Sequence, residues 1–193
     1  MEIRFIQDEE IANAAGLSRF VFDTCLRMRM DFSQTTTFVE DYLTESNLRA
    51  KKQEGQLLLW GVYEEGQLVG TGGMQPNGVI TMLYILPQYF KKKYGTNLLN
   101  TMRLYAKEIL GLSQVTVNAT PSFTSYYFEK NGFKTTKPRS GMQVPFVHMY
   151  ASSDRTQCYK KRPVPAGVII GAVVGCVIFA TLVGCIFMCW YLF

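Results

Sequence analysis

Apolar residues recur along residues 1–150 with two periods, every second residue or every third to fourth, and the switches between them mark out the elements. EIRFI (Glu2–Ile6) alternates and predicts a first strand. Asp8 is placed to cap a helix running to about Arg29, with Ile11, Ala14, Ala15, Leu17, Phe20, Val21 and Cys25 on its apolar side. Ser33 opens a second predicted helix, Thr35 to about Lys52, through Phe38, Tyr42, Leu43 and Leu48. QLLLWGVY (Gln56–Tyr63) and QLVGTGGM (Gln67–Met74) read as a hairpin joined by Glu64-Glu65-Gly66, with Gly66 free to take a positive φ. VITMLYIL (Val79–Leu86) is apolar throughout and predicts a central strand. A helix from Thr96 to Leu110 follows, carrying Leu98, Leu99, Met102, Tyr105, Ala106 and Ile109 at helical spacing.

QVTVNA (Gln114–Ala119) predicts another strand. A short helix then runs from Pro121-Ser122 to Asn131-Gly132, where glycine suits the left-handed C′ position. Gly132–Thr136 and Met142–Tyr150 form a closing pair of strands. The order is strand, two helices, three strands, helix, strand, helix, two strands. That order predicts an α+β fold, a mixed and mostly antiparallel sheet flanked by helices, with its strand–turn–helix crossover at LPQYFKKKYGTNLL (Leu86–Leu99).

Beyond the domain the pattern changes. Residues 163–193 carry no charge, and AGVIIGAVVGCVIFATLVGCIFMCWYLF (Ala166–Phe193) has no polar face. About 20 apolar residues suffice to cross a bilayer, so 166–193 is expected to be a transmembrane helix. The N-terminus, MEIRFIQDEEIA, has no apolar leader, so a C-terminal anchor with the domain facing the cytosol is expected. Lys160, Lys161 and Arg162 flank the span on that side, and Trp190 and Tyr191 suit the far interface. The expected organisation is a domain over 1–151, a basic juxtamembrane linker over 152–165 and the span over 166–193. Which membrane receives it stays open.

Charge and cysteines narrow the function. Net charge is +5, yet residues 1–152 hold 16 Lys/Arg against 14 Asp/Glu, which gives nucleic-acid binding little support. The surplus sits in residues 153–162, where it suits anionic lipid headgroups or a solvated linker. Cys25, Cys158, Cys176, Cys185 and Cys189 have neither zinc-site nor CxxC spacing, so no metal is expected. Gly167, Gly171 and Gly175 share one face of the span and would let two copies approach as a homodimer.

The crossover poses the chemical question. A strand feeding a basic, glycine-ended turn and then a helix can hold phosphates, because the first helical N–H groups are unpaired and the dipole is positive there. Lys91-Lys92-Lys93 can equally be a solvated surface turn.

The element order, this turn (Phe90-Lys91-Lys92-Lys93-Tyr94-Gly95) and the segment VTVNATPSFTSYYFEKNGF (Val115–Phe133) together resemble the GNAT superfamily of N-acetyltransferases. The resemblance covers residues 1 to about 150. It implies acetyl-CoA as co-substrate and an amine, on a protein or a small molecule, as acceptor. In that family the turn Q/R-x-x-G-x-G/A cradles the CoA pyrophosphate, and the fourth strand splays from the fifth to admit the pantetheine arm. Carried over by position, the cofactor contacts are Leu83, Ile85, Lys91, Lys92, Lys93, Tyr94, Gly95, Thr96 and Asn118. Two positions depart from the pattern: Phe90 stands for the polar residue and Lys93 for the first glycine, and a positive φ at Lys93 would cost stability.

The family's acid, a tyrosine, maps onto Tyr127 when counted forward from Asn118-Ala119 and onto Phe128 when counted back from Gly132-Phe133; Tyr127 is the candidate, with Tyr126 in reserve. Ordinary core packing is the alternative for both. No base declares itself. Glu40, Asp41 and Glu45 can attract a cationic amine or merely solvate a helix, and His148 reads as structural. The rival to the enzyme is a membrane-tethered binding module of the same fold without turnover.

Overall fold

The computed structural model describes residues 1–27, 39, 43–119, 123–136 and 147–154. Contacts divide the chain at Cys158/Tyr159, and every described residue falls in the first unit. Residues 155–165 of the expected linker, the expected anchor, residues 35–38 and 40–42 of the second predicted helix and residues 142–146 of the last strand lie outside the described residues. Among the described residues no helix is long and apolar enough to cross a membrane.

The elements are β1 (Glu2–Phe5), α1 (Ile11–Cys25), α2 (Glu45–Gln53), β2 (Leu58–Glu64), β3 (Gln67–Met74), β4 (Val79–Ile85), α3 (Tyr94–Glu108), β5 (Gln114–Ala119), α4 (Phe123–Lys130), β6 (Lys134–Thr135) and β7 (Val147–Ser152). The strands form one sheet in the order β1-β2-β3-β4-β5-β7-β6. Only β4 and β5 pair in parallel, as the crossover through α3 requires. The β2–β3 hairpin closes on Glu65 (φ 50°) and Gly66 (φ 80°), the two positive φ values of a tight primed turn.

Two expectations need correcting. Asp8 does not cap α1: a 3-10 turn, Asp8–Glu10, precedes that helix, and the Gln7 N–H donates to Glu10 Oε2 at 2.9 Å. Asp8 instead pairs with Lys52, while Arg4 grips Glu10 at 2.7 Å, and that hydrogen bond holds the Glu10 carboxyl down at about 2. The second helix is also not continuous. Thr44 is extended (ψ 146°) and α2 begins only at Glu45, so the apolar spacing through Leu43 and Leu48 spans a break.

The sheet buries both faces. Under α3 and α4 lie Trp60, Val62, Val117 and Met149, with Leu98, Leu99 and Met102 of α3 fully buried above them and Phe128 of α4 beside them. Under α1 and α2 lie Leu59, Met82 and Tyr84, covered by Ile11, Phe22 and Leu48. Helix α3 approaches β3 closely because the strand is glycine-rich there: a Cβ at Gly72 would stand 2.9 Å from Leu98 Cδ2. On the other face Ser18 Oγ and Thr71 Oγ1, both fully buried, lie 2.7 Å apart and tie α1 to β3.

Arg103 is the one buried cation among the described core residues. Its Nε donates to the Ser152 carbonyl at 3.1 Å and its Nη1 to the Asn131 carbonyl at 3.1 Å, while Nη2 also reaches Ser152. The guanidinium thereby joins α3 to the end of β7 and to the turn after α4. Arg103→Met keeps most of the volume but strands two carbonyls. It is expected to cost roughly 3 kcal/mol in denaturant unfolding without changing cofactor affinity in the folded fraction.

One irregularity positions everything that follows. Gly73 pairs with Met82 but Met74 pairs with Ile80, so Thr81 is an extra residue, a bulge in β4. Its hydroxyl donates back to the Gly73 carbonyl at 3.4 Å. The bulge switches the faces: Ile80 lies with Leu83 and Ile85 on the α3 side, while Met82 and Tyr84 lie on the α1 side. Pairing of β4 with β5 covers only Val79↔Thr116 and Ile80↔Val117 and ends at the bulge. From Thr81 onward the two strands separate.

Candidate active site

A cavity of about 490 Å3 occupies this split. Its walls come from the end of α1, the free half of β4, the turn, the start of α3, and α4. The backbone of β4 faces it in a definite register. Leu86 N–H donates to the Val69 carbonyl at 2.9 Å, so alternation directs the Tyr84 and Met82 peptides towards β3 and those of Leu83 and Ile85 towards the split.

The turn differs from its sequence reading in a way that explains it. Lys91 (φ 62°) and Lys93 (φ 66°) both adopt the left-handed conformation that glycine favours. Gly95 has no positive φ and is the second residue of α3. Glycine is needed there for space: a Cβ would stand 2.9 Å from Tyr127 Oη and 3.6 Å from Ile85 Cγ1. Lys93 occupies the N-cap and makes no side-chain cap, and the first intrahelical bond runs from Asn97 N–H to the Lys93 carbonyl at 2.9 Å. The amides of Tyr94, Gly95 and Thr96 precede that bond. With the helix dipole and two lysines behind them, they could hold an anion.

Lys93→Gly would relieve the left-handed strain, at a smaller cost in chain entropy. It is expected to stabilise the domain by about 0.5–1 kcal/mol in thermal unfolding. The same variant should weaken acetyl-CoA binding and flatten its salt dependence, because one cation leaves the turn.

Tyr127 projects from α4 into the cavity. Its hydroxyl is buried, with no hydrogen-bond partner among the described residues. Burial raises its pKa, and the adjacent Thr96 hydroxyl offsets part of that rise without reaching bonding geometry. The phenol therefore stays protonated at neutral pH. Tyr94 is turned elsewhere: the nearby Glu64 carboxylate pushes its hydroxyl up to about 12, and its ring stacks on Tyr89 at 5.6 Å.

The sequence-derived residues separate cleanly. Leu83, Ile85, Lys91, Lys93, Tyr94, Gly95, Thr96 and Tyr127 line the cavity together. Lys92, Tyr126 and Asn118 are not among its described lining. Lys92 Nζ sits 4.8 Å over the Tyr89 ring. Tyr126 is 56% exposed, with Lys130 Nζ 4.4 Å over it. Asn118 Oδ1 lies 2.8 Å from His148 Nδ1 across the β5–β7 pair, on the face away from α3. Glu45 is paired with Arg49 at 2.8 Å on the α2 surface, and Glu40 and Asp41 lie outside the described residues. Among the described residues no cluster could hold a metal ion.

Sequence reasoning missed the α1 wall, Val21, Cys25 and Leu26, together with Tyr84. The first two read as ordinary core, and the parity of Tyr84 is concealed by the bulge.

Comparison with known proteins fits this geometry. Residues 13–152 match the family model described as an acetyltransferase (GNAT) domain. No curated protein matches the sequence. Among solved structures, the PaiA N-acetyltransferase of Thermoplasma acidophilum in complex with coenzyme A superposes with a TM-score of 0.64 at 18% identity, over 78% of this chain and 98% of that one. A GCN5-related N-acetyltransferase of Rhodopseudomonas palustris gives 0.66 at 21% identity, over 78% and 94%. A GNAT-family acetyltransferase of Staphylococcus aureus Mu50 gives 0.61 at 16%, over 79% and 99%. At these identities the likeness concerns the fold.

Proposed function

The chain belongs to the acetyltransferase (GNAT) domain family, an acyl-CoA-dependent N-acetyltransferase with acetyl-CoA as co-substrate, and on that footing we propose that it transfers the acetyl group to a primary amine by direct attack. The residues of the split suit the co-substrate. The Leu83 and Ile85 peptides offer an open strand edge, the amides of Tyr94, Gly95 and Thr96 with Lys91 and Lys93 offer an anion cradle, and no Cβ at Gly95 obstructs it. Acetyl-CoA supplies the acetyl thioester. The amine nitrogen bonds to the carbonyl carbon as the C–S bond breaks. Tyr127 gives its proton to the departing sulfur, and the proton released from nitrogen returns through solvent. The observation that carries this reading is the buried Tyr127 hydroxyl, which stands over Gly95 with no hydrogen-bond partner among the described residues. A buried polar group without a partner is costly, and a reacting atom in the cavity would supply one.

The test uses the full chain in detergent with acetyl-CoA and a primary amine, following both free thiol and the acetylated amine. Equal release of the two supports direct transfer. Thiol release without amide means hydrolysis and removes the reading.

We place this activity at a membrane, with residues 166–193 as anchor, the basic residues 160–162 beside it and the domain in the cytosol. A span without a single charge from 163 to 193 supports this, because such a segment is unstable as an isolated helix in water. Gly167, Gly171 and Gly175 support pairing of two anchors. The protein should resist carbonate extraction, and protease outside sealed cytosol-side-out vesicles should digest the domain. A protected domain would reverse the orientation.

A further inference from the structure

The end of α3 that lies away from the cavity leaves apolar side chains in water. Leu104 is 59% exposed and Ile109 65%, and Phe5 of β1, 39% exposed, meets the half-buried Tyr105 ring edge-on at 5.4 Å. The helix stops at Gly111 (φ 66°), where the Leu112 N–H returns to the Ala106 carbonyl at 2.9 Å and folds the apolar loop 109–112 onto the helix end.

The last described residues close on the same end. Ser153 N–H donates to the Ser113 carbonyl at 2.9 Å, and Asp154 Oδ2 lies 3.7 Å from Lys107 Nζ, one turn of α3 beyond Leu104. Lys107 Nζ also lies 3.5 Å from Glu108, so the two acids beside the patch share that cation. Residues 155–162 then add Arg155, Lys160, Lys161 and Arg162 without an acid, and the uncharged stretch begins at Pro163. From Asp154 to Ala166 there are twelve residue steps, at most about 40 Å of chain. The turn with Lys91 and Lys93 stands at the opposite end of α3, whose 15 residues measure about 22 Å.

We propose that this end of the domain is a lipid-docking face, on which Phe5, Leu104 and Ile109 dip into the interface of a bilayer while the basic residues 155–162 lie among its headgroups. This rests on the membrane reading above. So short a tether keeps the Asp154 end of the domain close to the lipid surface, where the patch meets it at high effective concentration. Each apolar side chain then withdraws from water a surface that the fold itself leaves exposed. The basic residues draw the chain to anionic headgroups and offset Glu108 and Asp154. A second copy of the chain suits the patch less well. Three exposed side chains fall far short of the roughly 800 Å2 that each partner buries in a stable protein interface. Docked in this way, the cavity end of α3 faces water.

The experiment places the full chain in vesicles of equal parts phosphatidylcholine and phosphatidylglycerol. Genetically encoded benzoylphenylalanine replaces Ile109, Leu104 or, as the control, Phe20 of α1, which is 54% exposed on the helix that covers the other face of the sheet. Thermal unfolding confirms that each variant is folded. Light should attach lipid at Ile109 and at Leu104 and none at Phe20. Adducts between two copies of the chain at Ile109 and Leu104 would overturn the proposal in favour of a protein interface. Equal lipid adducts at all three positions would overturn it too, and so would none at any. Vesicles that float free of the unmutated protein would instead show that the anchor reading itself has failed, and the proposal with it.

Discussion

Tyr127→Phe is expected to lower turnover by about 10²-fold or more while leaving acetyl-CoA affinity unchanged. The variant removes one oxygen that has no hydrogen-bond partner among the described residues, so stability should hold or rise slightly. That opposition of signs separates a catalytic hydroxyl from a packing one, because a structural tyrosine would lose stability and affinity together. Burial raises the Tyr127 pKa, so the acid form persists above the ordinary tyrosine range of about 10. The alkaline limb of wild-type kcat due to this group should therefore lie above that range and be missing from the variant. Tyr126→Phe is the internal control: its ring lies on the surface, and its loss should change neither rate nor stability.

Gly95→Ala should be nearly silent in the unliganded fold and severe in function. Alanine gains helix propensity over glycine by about 1 kcal/mol, and this helical residue has no positive φ. Its methyl would nevertheless arrive 2.9 Å from Tyr127 Oη, in the space between the cradle and the acid. A ligand at a hundred times its dissociation constant stabilises by about 2.7 kcal/mol, roughly 5–10 °C in a domain of this size. Wild type should show that shift with acetyl-CoA. Gly95→Ala should lose most of it at near-normal unliganded Tm, and Gly95→Val all of it at a lower Tm, because its γ carbons crowd Tyr127 and Ile85 further. Thermal unfolding with and without acetyl-CoA reads both quantities in one experiment.

The sheet could be read in the sequence because its strands alternate and its helices do not. EIRFI, the Glu64-Glu65-Gly66 hairpin and QVTVNA each carry their own periodicity, and each forms the element expected. The split between β4 and β5 has no such local signature. VITMLYIL is apolar throughout, so the bulge at Thr81 leaves no mark on the pattern, although it decides which side chains face the cavity. Three successive lysines likewise look equivalent, and only backbone geometry turns Lys91 and Lys93 to the cavity and Lys92 to Tyr89. Gly95 is readable as the end of the turn, but the need for its missing side chain comes from a tyrosine thirty-two positions later. Of the two adjacent tyrosines, one helical step sends Tyr126 to solvent and Tyr127 inward. The break at Thr44 leaves no mark on the pattern because apolar residues on either side keep helical spacing across it.

The phosphates of acetyl-CoA are expected on the first turn of α3. Amide chemical shifts report this placement directly. Titration of the 15N-labelled full chain in detergent with acetyl-CoA should move the amides of Tyr94, Gly95 and Thr96 furthest, followed by Leu83 and Ile85 along the open edge of β4. Saturating shifts elsewhere in the domain, with Tyr94, Gly95 and Thr96 unmoved, would contradict it.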